Sequence, residues 1–177
     1  MPAARLAHTS ELDVATLAAI QRMVVGAFPG NFDDHDWDHA LGGIHAIIEE
    51  EGSVVAHGAV VQRRFLHGGR ALRTGYVEAV AVRPDRQRRG LGAAVMTALA
   101  PVIRGAYAIG ALAASERAGG FYTSLGWLRW RGATWVHSPD GIERTADEDG
   151  GVYVLPQGTQ IDLAGDLVCD WRDGDVW

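Results

Sequence analysis

The stretch from Arg83 to Ala94, RPDRQRRGLGAA, places two glycines, Gly90 and Gly92, directly after a run of arginines. The apolar sequence YVEAVAV before it predicts a strand, and the alanine-rich sequence after it predicts a helix. The first N–H groups of a helix lack intrahelical acceptors, and glycines allow an anion to approach them closely. The stretch therefore predicts a strand, a pyrophosphate-binding loop and a helix.

Two common phosphate-binding loops do not fit this sequence. A P-loop ends in Gly-Lys followed by Ser or Thr, and the chain has no such ending. A dinucleotide-binding loop needs a third glycine, and Val95 stands in that position.

The patterns on either side of the loop predict one domain, residues 1–177, of mixed α/β class. Its central sheet is expected to be mixed but largely antiparallel, with helices on its faces. Thr9–Phe28 reads as an amphipathic helix capped by Ser10, and residues 31–43 read as a loop with a short helical turn. Helices are also predicted at 89–104 and 115–126, and strands at 44–50, 53–67, 71–83, 106–114, 128–136, 152–155 and within 161–171.

Composition indicates a cytoplasmic protein that binds neither nucleic acid nor membrane. The chain carries 22 acidic and 16 basic side chains, a net charge of −6, whereas nucleic-acid binders are usually basic. The single cysteine, Cys169, excludes an internal disulfide and fits a reducing compartment. The N-terminal residues lack the apolar core of a signal peptide, and no apolar run is long enough to span a bilayer.

Two motifs in order resemble those of the GNAT acetyltransferases. QRRGLG resembles that family's acetyl-CoA signature, and FYTSLGW (Phe121–Trp127) resembles its second motif, an aromatic-Tyr helix followed by Gly and an aromatic residue. The resemblance implies acetyl-CoA as cosubstrate, held by the loop and by the main chain of the preceding strand. The residues implied are Val80, Ala81, Val82, Gln87, Arg88, Arg89, Gly90, Leu91, Gly92 and Ala93.

Nearly the whole chain is similar to one GNAT group, the aminoglycoside 2'-N-acetyltransferases, including the tail CDWRDGDVW. This similarity implies direct acetyl transfer to an aminoglycoside amine in a ternary complex, antibiotic resistance and a homodimer. The chain departs from the group at Asn31, where an acid is expected, and at Ala113, where a relative can carry serine. The acceptor site implied consists of Asn31, Asp36, Glu78, Glu148, Asp175 and the terminal carboxylate of Trp177.

Two residues are candidates for moving protons. Glu78 would share one face of a regular strand with Tyr76, Val80 and Val82, and burial there would raise its pKa, as suits a general base. The alternative is an edge or bulge position without a catalytic role. The second motif implies that Tyr122 protonates the leaving thiolate; the alternative is aromatic packing.

Two further segments are ambiguous from sequence. His35 and His39, four residues apart with Asp36 between them, imitate a zinc-protease motif, but the shorter Asp and the loop-like context favour no metal. Trp171 and Trp177 predict a packed tail, because exposing two indoles to water is unfavourable.

Other functions remain open from sequence alone. The same fold could acetylate a polyamine, another aminosugar or a peptide, and the acidic tail does not separate these cationic acceptors. A non-catalytic CoA-binding regulator is disfavoured by Glu78 and Tyr122. A nucleic-acid binder using the arginine run is disfavoured by the net charge and by the lack of interleaved aromatic residues.

Overall fold

The computed structural model describes residues 3–177. Its helices are α1 Val14–Ala27, α2 Asp34–Ala40, α3 Leu91–Ala106 and α4 Glu116–Ser124. Its strands are β1 Arg5–His8, β2 Ile44–Glu50, β3 Ser53–His67, β4 Arg70–Val82, β5 Ile109–Ala113, β6 Leu128–Arg129, β7 Thr134–Ser138, β8 Gly141–Arg144, β9 Val152–Pro156 and β10 Leu167–Asp170. Short 3₁₀ turns lie at Thr9–Glu11, Pro84–Arg86 and Ala146–Glu148.

The chain divides into two compact units, and the long strands β3 and β4 contribute to both. Unit 1 consists of Met1–Val61 and Val77–Gly105. Unit 2 consists of Gln62–Tyr76 and Ala106–Trp177.

Unit 1 places its strands in the order β1–β2–β3–β4, so β4 is its edge strand on one side. Helix α1 packs Ile20, Met23 and Val24 against the sheet residues Ile47 and Ala81. Helix α3 lies very close to β3, because a Cβ built on Gly58 would be 2.7 Å from a methyl group of Val95. Close packing thereby fixes helix α3 to the sheet.

Unit 2 contains a sheet in the order β6–β9–β5–β4–β3–β10–β7–β8. Two of its neighbouring pairs, β4–β5 and β7–β10, are parallel, whereas β5–β9, β6–β9, β3–β10 and β7–β8 are antiparallel. The predicted mixed, largely antiparallel sheet with flanking helices is confirmed. Trp130 is fully buried in this unit.

The predicted start of the first helix is wrong. Residues Thr9–Glu11 form a separate 3₁₀ turn, and α1 begins at Val14. The N-cap is Asp13 and not Ser10, because the Asp13 carboxylate accepts a hydrogen bond of 2.7 Å from Thr16 N.

Three short elements differ from the sequence prediction: helix α2 and strands β1 and β8. The helical turn predicted after Asn31 is the seven-residue α2, stabilised by a capping box between Asp33 and Asp36. The four-residue strands β1 and β8 were not predicted, because such short segments carry little periodic signal.

In residues 3–177, no helix is both long and apolar enough to cross a membrane.

Candidate active site

The predicted site residues are distributed over both units. Unit 1 holds Asn31, Asp36, Glu78, Val80–Val82 and the loop from Gln87 to Ala93. Unit 2 holds Tyr122, Glu148, Asp175 and Trp177.

The loop before α3 has the geometry of an anion-binding helix start. Arg88 and Gly90 both adopt left-handed backbone, with φ of 61° and 79°. Glycine adopts this conformation without steric cost, whereas an arginine there is strained, as is frequent at binding sites. The ladder of α3 begins with Ala94 N donating to Gly90 O at 3.0 Å. The N–H groups of residues 91–93 precede this ladder at the positive end of a 16-residue helix.

The arginines of the loop fall into two groups. Arg83 donates to both oxygens of Asp85, at 2.6 and 3.1 Å. Arg86 donates to Asp85 and to Glu50, both at 2.8 Å. These two guanidinium groups are therefore neutralised within the protein and fix the shape of the loop. Residues 88–89 are exposed, which suits direct contact with an anion.

The last residues of β4, Val80–Val82, lie at the edge of unit 1. On its inner side β4 neighbours β3, and Arg83 N just beyond it donates to Val55 O at 2.9 Å. On Val82 itself, the main-chain oxygen accepts from Gln87 Nε2 at 3.3 Å. Among the described residues of unit 1, no strand lies beyond the outer side of β4.

The strand around Glu78 is irregular. Ala79, the next residue, has φ of 50°, in the left-handed region. The prediction that Glu78 lies on a regularly alternating strand with Val80 and Val82 is therefore wrong, because one left-handed residue interrupts strand geometry. Glu78 is partly buried, and the geometry resembles the bulge position considered as an alternative.

Tyr122 lies on the buried face of α4. Its ring packs edge-on against Phe121, with ring centroids 5.0 Å apart, and near Trp127 and Tyr153. The helix comes this close to β9 because Gly119 faces Tyr153, whose hydroxyl oxygen would lie 2.2 Å from an added Cβ. Burial raises the pKa of Tyr122 to about 12. The hydroxyl is therefore protonated at neutral pH and can act as a proton donor.

Two acidic residues of the predicted acceptor site lie near one another in unit 2. The pKa of Glu148 is raised, first by partial burial and then by the nearby charges of Asp175 and Asp147. Asp149 is different, because its hydrogen bonds with Arg144 lower its pKa to about 2. Glu148 and Asp175 thus form a negatively charged cluster that a cationic ligand would stabilise.

The tail is packed through Trp177, as predicted. This side chain is 4% exposed, its ring meets Phe65 edge-on at 5.3 Å, and Nε1 donates to Thr145 Oγ1 at 2.9 Å. Arg172 donates to the main-chain oxygens of Asp175 and Trp177 at 2.7 and 2.9 Å. Trp171, in contrast, is 47% exposed, so the prediction of packing holds for only one of the two indoles.

The remaining predicted residues have local partners. Asn31 is exposed, and its side chain donates to Pro29 O at 3.4 Å. The Asp36 carboxylate accepts from Asp33 N at 2.9 Å, so it already has a capping role in α2. Ala113 is at the end of β5, opposite Val152. Among residues 3–177, no group of three or more His, Cys, Asp and Glu side chains is arranged to hold a metal.

These features can be compared with known proteins. The model of the Acetyltransferase (GNAT) family matches residues 14–127, which is more than half of the chain. This chain belongs to the GNAT acetyltransferase family. A curated relative, the aminoglycoside 2'-N-acetyltransferase of Mycolicibacterium fortuitum, is 54% identical over 98% of this chain and 91% of its own length.

Solved structures agree with this GNAT assignment at the level of the fold. A GNAT family acetyltransferase from Brucella melitensis in complex with acetyl-CoA has a TM-score of 0.62 at 18% identity, covering 94% of this chain and 96% of its own. ElaA of Escherichia coli has the same TM-score at 17% identity, covering 88% and 99%. The ribosomal-protein-S18-alanine N-acetyltransferase of Escherichia coli has a TM-score of 0.60 at 20% identity, covering 89% and 96%.

Three residues with specific polar partners in the structure were not identified from sequence. His45 and His57 sit inside strands among apolar residues, and their pairing becomes visible only once β2 and β3 are in register. Arg172, which holds the tail, lies in a charged segment in which no single residue stands out.

Proposed function

We propose that this GNAT acetyltransferase transfers the acetyl group of acetyl-CoA to the 2'-amine of aminoglycosides, and so confers resistance to them. The observation that carries the proposal is the 54% identity to an aminoglycoside 2'-N-acetyltransferase, which extends over 98% of the chain. The acidic cluster of Glu148 and Asp175 supports a polycationic acceptor. The family match covers residues of both units, which supports one acetyltransferase domain, residues 1–177.

The donor is proposed to bind through main-chain groups. The pyrophosphate would lie on the N–H groups at the start of α3, with Gln87, Arg88, Arg89, Gly90, Leu91, Gly92 and Ala93 around it. The pantetheine arm would pair with Val80, Ala81 and Val82 at the edge of β4, as in β-strand addition.

The proposed chemistry is direct attack. Glu78 accepts a proton from the acceptor ammonium, directly or through water, because only the neutral amine is nucleophilic. The neutral amine nitrogen then bonds to the acetyl carbon, the carbon–sulfur bond breaks, and Tyr122 protonates the departing CoA thiolate. The nitrogen releases a second proton to water as the amide forms, and the Tyr122 tyrosinate takes up a proton from water. Burial raises the pKa of Cys169 to about 11, so this thiol stays protonated, which supports transfer without a covalent enzyme intermediate.

Acceptor recognition is proposed to rest on acidic groups. Glu148 and Asp175 would bind ammonium groups of the aminoglycoside. Asn31, Asp36 and Trp177 are further proposed contacts, each carried over from the resemblance to related enzymes. Asn31 supplies an amide where related enzymes carry an acid, so its contact would be a neutral hydrogen bond. We also propose a homodimer in the cytoplasm.

Acceptors that differ at one position test the function. Thiol release from acetyl-CoA should be fast with aminoglycosides that carry a 2'-amine and at background level with those that carry a 2'-hydroxyl. NMR of the product should show the new amide at the 2' nitrogen. Equal turnover of the 2'-hydroxyl compounds, or faster turnover of spermidine or a peptide, would assign the enzyme to another amine.

Glu148→Gln is expected to stabilise the protein while weakening acceptor binding. Because folding raises the pKa of Glu148, its ionisation opposes folding; this destabilisation is absent below the ordinary value of 4.5 and develops as the pH rises through the raised value. The variant should therefore melt a few degrees higher at about pH 7 and show no gain below about pH 4. The aminoglycoside KM should rise ~2- to 5-fold, as expected for a partly exposed ion pair.

The matched control for this change is Asp140→Asn, which removes one exposed carboxylate from the turn between β7 and β8. It should alter neither the melting temperature nor KM appreciably. An unchanged KM for Glu148→Gln across all acceptors would remove Glu148 from the acceptor site.

A further inference from the structure

Two fully buried histidines form a hydrogen-bonded chain in unit 1. His45 on β2 and His57 on β3 are both 0% exposed. Thr9 Oγ1 lies 2.8 Å from His45 Nε2, and His45 Nδ1 lies 2.9 Å from His57 Nε2. The chain ends where His57 Nδ1 meets Ala79 O at 3.0 Å.

The acceptor at the end of this chain fixes the direction of every bond in it. A carbonyl oxygen can only accept, so His57 Nδ1 carries a proton and donates it to Ala79 O. His57 Nε2 must then accept from His45 Nδ1, and His45 Nε2 from the Thr9 hydroxyl. Both rings are neutral in this arrangement, and burial agrees, since it lowers the pKa of His57 to about 3 and that of His45 to about 4.

The residue at the end of the chain is the left-handed one. Ala79, with φ of 50°, follows Glu78 directly and precedes Val80–Val82. An alanine in this conformation is strained, so it persists only where its surroundings hold it. The Ala79 carbonyl belongs to the peptide plane between Ala79 and Val80. The hydrogen bond from His57 fixes the orientation of that plane.

We propose that His57, oriented by His45, is a positioning residue that holds the left-handed turn at Ala79 and thereby sets the direction of the Glu78 carboxylate. Neither histidine needs to touch a substrate in this role. The inference rests on the proposed function of Glu78 as the base. The direction of the proposed base, Glu78, then depends on the ring N–H of His57, which lies on the neighbouring strand β3.

A matched pair of variants separates the hydrogen bond from packing. Asparagine can place its amide N–H near the position of Nδ1, whereas the longer glutamine places its amide near the position of Nε2. His57→Asn should therefore keep the bond to Ala79 O and most of the activity. His57→Gln should lower kcat on the order of 10- to 100-fold, as for a misplaced catalytic group, with little change in aminoglycoside KM. A packing role predicts similar losses in both variants.

Ala79→Gly provides the rescue. Glycine adopts positive φ without steric cost, so the turn no longer depends on His57 for its stability. Ala79→Gly in the His57→Gln background should recover at least a few-fold of the lost kcat. If His57→Gln and the double variant are equally slow, the bond to Ala79 does not explain the loss, and the proposal is overturned.

A readout besides activity keeps this proposal separate from the proposed function. The ¹³Cα and ¹³Cβ shifts of Ala79 report its backbone angles directly in alanine-labelled protein. They should remain at left-handed values in wild type and His57→Asn and move in His57→Gln, whether or not aminoglycosides are acetylated. Wild type without aminoglycoside turnover would contradict the proposed function alone.

A second variant covers a failure of His57→Gln to fold. His45→Leu leaves the His57 donor in place but removes the bond that orients it. It should move the Ala79 signals partway and lower kcat by a smaller factor. Unchanged Ala79 shifts and unchanged kcat in either folded variant would overturn the positioning role.

Discussion

Glu78→Gln is expected to lower kcat/KM for acetyl transfer by ~10²–10⁴-fold, the usual contribution of a general base. Glutamine keeps the shape of the side chain but cannot accept the proton of the acceptor ammonium. The loss should be largest near pH 6 and smaller near about pH 9, because more of the amine is then already neutral. Thiol release measured across this pH range tests both the size and the slope of the effect.

The control for this substitution is Glu49→Gln, the same isosteric change at an exposed position of β2 in the same unit. It should leave the pH profile unaltered. Acetyl-CoA affinity, measured by calorimetry, should be close to wild type in both variants. A loss of less than about threefold at every pH would mean that another group takes the proton.

Gly92→Asp is expected to weaken acetyl-CoA binding by ~100-fold or more, because like charges in contact cost several kcal/mol. Gly92 is the second residue of α3, so the new carboxylate would lie where the pyrophosphate is proposed to bind. An acid in the first turn of a helix is favourable for the helix itself. The melting temperature should therefore stay near that of wild type while the affinity falls.

Gly92→Asn separates charge from size in this experiment. It adds a side chain of nearly the same volume without the charge, so its loss of affinity should be much smaller. Calorimetric titration with acetyl-CoA measures all three proteins. An affinity of Gly92→Asp within a few-fold of wild type would move the pyrophosphate away from the start of α3.

The parts predicted correctly from sequence are those that local chemistry determines. The strand before Arg83 and the helix that begins at Leu91 are neighbours in the sequence, so the signal of one supports the other. The helix that carries Tyr122 was predicted for the same reason, because its sequence signal lies within one short segment; the structure has it at Glu116–Ser124. The mixed sheet followed from the order of these elements along the chain.

The parts that were mispredicted or missed depend on distant contacts. Nothing in the sequence around Ala79 indicates a positive φ, because the group that accompanies it, His57, is 22 residues away. The raised pKa of Glu148 likewise depends on folding, first through partial burial and then through the charge of Asp175, which only the folded tail brings near. Trp177 is buried because its indole packs against Phe65 and donates a hydrogen bond to Thr145, whereas Trp171 is exposed.

The edge position of β4 in unit 1 links the stability of the protein to its donor substrate. An unpaired strand edge is where chains aggregate, and a donor arm lying along Val80–Val82 would cover it. A ligand present at a hundredfold excess over its Kd adds about 2.7 kcal/mol to stability. Acetyl-CoA would then act as a folding ligand as well as a reactant. At low acetyl-CoA concentration more of the protein would then unfold and be degraded, so its amount would fall together with its turnover.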